Sequence, residues 1–237
     1  MSESCVRLQL LSTFELFDDG SRLSLPLGAQ RLLAFLALQK NATPRSLAAE
    51  RLWPHCTPCR AAANLRSALF HVRRAGSIQL IDCANHTLRL SPAASADLQL
   101  VSKAASEVTA GLNLPPELQT GLIDALRRDL LPDWSEDWLV LERDHWDQLR
   151  LHSLETLARQ LYSEQRYVQA LQTALSAVAI DPVRETAHRI VMEVHIAEGN
   201  AASALKRYHD YRAFLHRELN VGPSQQMTQL LRDLMPT

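Results

Sequence analysis

The most informative segment of this chain is Arg60-Ala-Ala-Ala-Asn-Leu-Arg-Ser-Ala-Leu-Phe-His-Val-Arg-Arg-Ala-Gly76. At about 100° per residue, its apolar side chains at 61, 62, 65, 68, 69 and 72 fall on one helical face. The opposite face carries no carboxylate, whereas a solvated helix face usually mixes Glu with Lys. The pattern predicts an amphipathic helix that begins near Pro58 and ends at the glycine.

The polar face of this helix has the residue types that read base edges in a DNA major groove. Arginine binds guanine with two hydrogen bonds, asparagine pairs with adenine, and an apolar group contacts the thymine methyl. We therefore predict base contacts from the residues that share or border this face: Arg60, Asn64, Ser67, Phe70, His71 and Arg74. A solvated helix face is the alternative, and the lack of acidic residues disfavours it.

A second set of side chains is predicted to contact phosphates or to lie on a wing. Arg66 and Arg73 flank the base-reading face. Arg31 is expected in the first turn of an earlier helix, where backbone N–H groups favour anions. Asn85 and His86 lie at the tip of a predicted hairpin. Phosphate contacts position a protein on the duplex without reading its sequence.

The charge distribution favours the same segment. The chain has a net charge of −1, but residues 1–98 carry +4 and the remainder carries −5. No acidic residue lies between Glu50 and Asp82, whereas this interval contains five arginines. A basic segment in a neutral chain is typical of a local nucleic-acid contact.

The elements around the helix follow the order of a winged helix-turn-helix. Short strands are predicted at 5–11, 14–18 and 22–26, and a first helix at 28–39. A second helix is predicted to begin after Thr43-Pro44, with the proline at its first position, and to run to Trp53-Pro54. After Gly76, strands at 78–81 and 87–90 form a hairpin in which Asn85 is expected to be left-handed.

The second half of the chain reads as entirely helical. Residues 91–96 are small and predict a linker, so we expect a DNA-binding domain at 1–96 and a helical domain at 97–237. Ala170-Leu171 recurs 34 positions later as Ala204-Leu205, which is the tetratricopeptide period. The predicted class is mainly α with small β, with helices at 97–109, 117–129, 136–164, 167–180, 183–198, 201–218 and 223–235.

Other features are expected to be structural. Cys56-Thr-Pro-Cys59 lacks a second ligand pair, so we interpret it as an incidental loop pair and expect no metal or cofactor. His188 and His195 are expected to be structural, and Trp134, Trp138 and Trp146 are expected to lie in a core. The apolar run at 32–38 is too short to span a bilayer, and no signal peptide is recognised, so a cytoplasmic protein without membrane contact is predicted.

Two blocks resemble the antibiotic regulatory protein (SARP) family, in which an OmpR-type winged helix precedes a bacterial transcriptional activator domain. The first block is Leu52-Trp53-Pro54 followed by residues 60–76. The second comprises Leu130-Leu-Pro-Asp-Trp134 with Trp138 and Glu142-Arg143, and then the repeat within 198–224. Two departures stand out: Phe70-His-Val-Arg-Arg74 replaces the usual Ser-Arg-Leu-Arg-Arg, and Asn220 replaces a glycine. Base preference is therefore not carried over.

The resemblance implies a tetratricopeptide-like effector domain, binding to direct repeats near promoters, and contact with RNA polymerase. Double-stranded DNA and RNA polymerase are the partners it implies, and a homodimer is left open. The leading hypothesis is a DNA-binding transcriptional activator. The alternative is a helical-repeat adaptor without sequence-specific DNA binding, from which a steep salt dependence of duplex binding would distinguish it. An enzyme is not expected, because no catalytic group has local support and no glycine-rich phosphate loop is present.

Overall fold

A computed structural model describes residues 6–232, without the side chain of Arg232. Contacts divide the chain into two compact units. The first unit is the chain up to Lys103 together with Arg128–Trp146, and the second is Ala104–Arg127 together with the chain from Asp147 onward. Cys5 and positions 233–235 of the predicted last helix lie outside the described residues. Within 6–232, no helix is both long enough and apolar enough to cross a membrane.

Helices and strands follow one another in the predicted order, and most bounds agree with the prediction to within three residues. They are β1 (Val6–Gln9), β2 (Glu15–Asp18), β3 (Ser21–Leu23), α1 (Leu27–Leu38), β4 (Thr43–Pro44), α2 (Arg45–Leu52), α3 (Pro58–Arg74), β5 (Ile81–Ala84), β6 (Thr87–Leu90), β7 (Ala94–Ala96), α4 (Asp97–Thr109), α5 (Pro116–Leu126), α6 (Asp137–Ser163), α7 (Tyr167–Ile180), α8 (Glu185–Ala197), α9 (Ala201–Leu219) and α10 (Gln225–Arg232).

The segment predicted as a linker is part of the first unit. β7 pairs in parallel with β1, with Val6 opposite Ala94, and the sheet order is β3-β2-β1-β7. The Asp97 carboxylate then accepts hydrogen bonds from the backbone N–H groups of Leu10 at 2.8 Å and Leu11 at 3.1 Å. Residues 94–97 complete the sheet and are hydrogen-bonded to the residues that follow its first strand. The first unit therefore extends beyond residue 96, where the predicted linker had placed a domain boundary.

A later segment also belongs to the first unit. Leu11 and Leu130 form an antiparallel bridge, and the Ser12 N–H donates to the Asp129 carbonyl at 2.8 Å. Aromatic contacts follow: Trp134 stacks on Phe14 with ring centroids 5.8 Å apart, and Trp138 meets Phe35 edge-on at 5.4 Å. Trp146 is 3% exposed and donates to the Arg128 carbonyl at 3.0 Å. These contacts hold Arg128–Trp146 in the first unit, outside the predicted division at 97.

The start of α2 differs from the prediction. Pro44 is the N-cap residue, with φ −55° and ψ 138°, and the helix begins at Arg45. Thr43 is buried and pairs with Leu88 of β6, which holds the dipeptide in an extended strand. The proline therefore precedes the helix and does not occupy its first position.

The hairpin after α3 is a wing with a two-residue turn. Asn85 has φ 48° and His86 has φ 61°, so both central residues are left-handed, as a type I′ turn requires. The left-handed Asn85 was predicted. The first strand was placed wrongly at 78–81, because a two-residue turn pairs Ala84 with Thr87 and Ile81 with Leu90 and so places β5 at Ile81–Ala84.

Gly76 follows Ala75, the C-cap of α3, close to the helix end predicted at the glycine. Its φ is +101°, and a Cβ there would lie 3.4 Å from both an Asp18 carboxylate oxygen and a Leu23 methyl. The next residue, Ser77, donates its backbone N–H to Asp18 Oδ2 at 2.6 Å and its hydroxyl to Oδ1 at 2.9 Å. Glycine therefore suits this position because of its left-handed backbone conformation, whereas the neighbouring side chains would leave a Cβ in ordinary van der Waals contact.

The second unit is built from stacked helices. α8 packs against both α7 and α9, and Ala170 and Ala204 of the predicted repeat are fully buried in successive core clusters. Glu155 of α6 and Arg184 form a two-point ion pair, with N–O distances of 2.5 and 3.0 Å. Asn220, where the family has glycine, is left-handed at φ 55° and ends α9. The predicted fold class, a winged helix followed by a tetratricopeptide-like helical domain, is confirmed.

His188 lies buried between α8 and α9 and has a structural role. Its ring stacks on Tyr211 with centroids 4.0 Å apart, and its Nε2–H donates to the Pro182 carbonyl at 3.0 Å. Burial away from water, together with the charge of Arg207, lowers the pKa of His188 from 6.5 to about 4. The folded helical unit therefore favours the neutral ring.

We predict that acid destabilises this unit through His188. The folded pKa lies below the unfolded one, so its stabilisation is complete above pH 6.5 and is lost as the pH falls from 6.5 to about 4. The His188→Gln variant should lack this loss, which for one proton approaches about 1.4 kcal/mol per pH unit. Urea unfolding at several pH values measures it, and identical pH slopes in the two proteins would contradict the assignment.

Candidate nucleic-acid interface

α3 carries the proposed recognition surface, and its start is well defined. Thr57 is the N-cap, and its hydroxyl accepts a hydrogen bond from the Arg60 N–H at 3.4 Å. Pro58 occupies the first helical position, where its missing N–H costs nothing. The face predicted to be apolar is buried at Ala61, Leu65, Ala68, Leu69 and Val72. Burial of this face turns the polar side of the helix outward.

The residues predicted to read bases lie together on the outward side. Asn64 is half-buried and the other five are exposed, among them Phe70 with 54% of its surface accessible. The helix has no acidic residue in its first turn and three basic residues, His71, Arg73 and Arg74, in its last turn. The surface thus combines cationic donors, an amide, a hydroxyl and an aromatic ring.

An aromatic cluster occupies the C-terminal half of this surface. The Arg74 guanidinium lies over the Phe70 ring, 5.3 Å from its centroid, and the His71 ring meets Phe70 edge-on at 5.7 Å. Cation–π contacts of this kind orient a guanidinium without neutralising it. Phe70 therefore contacts the Arg74 side chain on the exposed face of α3.

Three cysteines of the described residues lie on or beside this helix. The Asn64 amide contacts the Cys56 sulfur at 3.8 Å, and the Arg73 guanidinium contacts the Cys83 sulfur on β5 at the same distance. Cys59 is exposed on the first turn of α3. Within the described part of the chain, no group of three or more His, Cys, Asp or Glu side chains could hold a metal ion.

The predicted phosphate and wing residues separate into two groups. Arg66 and Arg73 are exposed on the flank of α3, and Asn85 and His86 are exposed at the wing tip. The His86 carbonyl accepts a hydrogen bond from the Arg45 N–H at 2.9 Å, which connects the wing to the start of α2.

Arg31 belongs to neither of these two groups. It is in the second turn of α1, which begins at Leu27, so its predicted location in the first turn is wrong. Its guanidinium forms an ion pair with Glu136 at 2.6 Å, and 31% of its side chain is exposed. Arg31 therefore lies beyond the N–H groups of the first turn, which favour anions, and the Glu136 carboxylate already balances its charge.

The electrostatics of the surface are cationic. Asp82, the first acidic residue after α3, forms an ion pair with Arg89 across the wing at 3.5 Å. Its charge is thus offset locally. Arg60, Arg66, Arg73 and Arg74 remain as exposed cations on α3.

Arg45 is a further cation that the sequence interpretation missed. It is the first residue of α2, it is half-buried, and no acidic residue lies in the first turn of that helix. Arg45 and Arg66 line the same cleft between α2 and α3. The sequence signal that could have identified Arg45 is that a basic residue stands at the predicted start of the second helix of the helix-turn-helix.

Comparisons with known proteins agree with this architecture. The sequence profile of the bacterial transcriptional activator domain family matches residues 117–235, half of the chain. No curated protein matches the chain in sequence. In fold, the chain is similar to Mycobacterium tuberculosis EmbR, solved in complex with a low-affinity phosphopeptide, with a TM-score of 0.78 at 15% identity.

That similarity covers 99% of this chain and 66% of the EmbR chain, so the protein spans just under two thirds of the length of its structural relative. At 15% identity the likeness concerns the fold alone. The family match carries the classification. The chain therefore belongs to the bacterial transcriptional activator domain family.

Proposed function

We propose that the protein regulates transcription by inserting α3 into the major groove of promoter DNA. The observation that carries this proposal is the exposed polar face of α3, which has arginine, asparagine, serine and phenylalanine side chains and no carboxylate. Direct readout of base edges needs donors and apolar groups of these types. Packing of the opposite face on the helix-turn-helix core leaves this one available to the duplex.

Phosphate contacts would surround the groove-reading helix. Arg66 and Arg73 lie on the flank of α3, Arg45 lies at the start of α2, and Asn85 and His86 form the wing tip. The backbone hydrogen bond from Arg45 to His86 places the start of α2 beside the wing tip. Arg31 is left out of the proposed contact set, because Glu136 neutralises it.

The helical unit is proposed to act as an activating module. Membership of the bacterial transcriptional activator domain family supports this role. By the resemblance to the SARP family, the protein would bind direct repeats near promoters and contact RNA polymerase there. DNA selection from a randomised duplex pool followed by promoter-fusion transcription tests both steps, because the first gives the site and its spacing and the second gives the sign of regulation.

Replacement of Arg73 should weaken binding to every duplex alike. Loss of one phosphate contact lowers the slope of log affinity against log salt by about one, because one fewer counterion is released. The matched control is Arg217→Ala, which removes the same charge from an exposed position on α9. Fluorescence anisotropy across a salt series measures both variants, and equal slopes for Arg73→Ala and wild type would remove Arg73 from the interface.

Replacement of Asn64 or Arg74 should instead reduce specificity. Each base contact contributes about 1–3 kcal/mol of discrimination, so Asn64→Ala or Arg74→Ala should lose about ten- to a hundredfold in affinity for the selected duplex. Binding to a scrambled duplex should change much less. Quantitative shift assays on both duplexes provide the measurement.

The control for this experiment is Leu69→Asp, which places a carboxylate in the buried face of α3 and should unfold the first unit. Circular dichroism separates that loss of structure from a loss of contact. If the Asn64 and Arg74 variants stay folded and lose equally on both duplexes, this face does not read bases.

A further inference from the structure

A cleft of about 500 Å³ opens between α2 and α3 in the first unit. Its walls are mostly apolar and come from both helices and from the turn between them, with Ala49, Trp53, Pro54, Ala61, Ala62 and Leu65 among the lining residues. Small-molecule sites in proteins have this size and this lining, with a few polar groups that fix orientation. None of the six residues assigned to base reading lines the cleft.

Small side chains from both helices line the cleft. Alanines on α2 and α3 leave the space that larger residues would fill, whereas Trp53 contributes an aromatic surface at the turn end. One edge of the indole lies near Gly28 of α1, where an added Cβ would be 3.6 Å from Trp53 Cζ2. The ring is half-buried, so packing on α1 holds it in place while it borders the cleft.

Charged groups line the same cleft. Arg45, the first residue of α2, and Arg66 of α3 both contribute, and Glu50 is the one acidic residue of the lining. Formal charges therefore leave the lining with a net positive charge. Along α2, the arginine lies two turns before the tryptophan, so the cationic and aromatic parts of the cleft are separated along the helix.

We propose that this cleft binds a small aromatic organic anion, with the ring against Trp53 and the acidic group at Arg45 and Arg66. Planar guanidinium groups suit a carboxylate or sulfonate, and the apolar walls suit the ring. The same two arginines belong to the proposed phosphate contacts, so the bound anion competes with DNA. This consequence, unlike the site itself, rests on the proposed function.

The test uses 8-anilinonaphthalene-1-sulfonate, an aromatic anion whose fluorescence rises on burial, and the full chain without DNA. Saturable binding to one site is expected. The Ala62→Phe variant fills the cleft, and it should weaken binding by at least about tenfold. Neutral N-phenyl-1-naphthylamine should bind at least about tenfold more weakly than the anion, because it cannot pair with the arginines.

Paired variants keep the test decisive if Ala62→Phe does not fold. Arg45→Gln with Arg66→Gln should weaken binding of the anion by about tenfold, whereas Arg73→Gln, which removes a charge from α3 outside the cleft, should change it less than about twofold. A folded Ala62→Phe protein that binds like wild type, or equal binding of the neutral probe, would overturn the proposal.

A competition experiment then addresses regulation. A duplex that the protein binds should displace the fluorescent anion, and the anion should release the duplex in a shift assay. Simultaneous binding of both would refute the competition. Because the anion titration contains no DNA, failure of duplex binding counts against the proposed function and leaves the result on the cleft intact.

Discussion

Burial of one face of α3 is the constraint on which the rest of the first unit depends. Ala61, Leu65, Ala68, Leu69 and Val72 are each at most 3% exposed, and the helix packs on both α1 and α2. A helix of 17 residues fixed on one side has only its other side for a partner. The identity of the outward residues, and in particular the absence of carboxylates among them, then sets the chemistry of the surface.

The end of that helix is held as firmly as its face. Gly76 takes the left-handed conformation that follows α3, and Asp18 accepts two hydrogen bonds from Ser77. At the other end, the cap at Thr57 defines the first turn, and the Asn64 amide reaches back to the sulfur of Cys56. The wing adds a third connection, because Arg73 contacts Cys83 of β5. The proposed recognition surface is therefore supported by sheet, turn and wing together.

The two sides of α3 present different surfaces. One side of α3 presents polar groups outward, and the flank toward α2 borders an apolar cleft with cations at its rim. Arg45 and Arg66 connect these two features, since each is both a proposed phosphate contact and part of the lining. Under the two proposals, occupancy of the cleft and DNA affinity would be coupled through these two arginines, within the first unit.

Local patterns in the sequence determined the helices and most of their ends to within three residues, the buried face of α3, the left-handed turn at Asn85 and the repeat of Ala170 and Ala204. These depend on periodicity and on residues such as glycine and asparagine whose backbone preferences act within a few positions. Tertiary structure alone decided that Ala94–Ala96 is a strand, since a three-residue strand of small residues forms only where β1 offers a partner. It also decided that Arg31 is neutralised, because Glu136 lies more than a hundred positions away in the chain, and that Arg45 and Arg66 meet at one cleft. Contacts between distant segments leave no periodic signal in either segment, which is why only the folded chain reveals them.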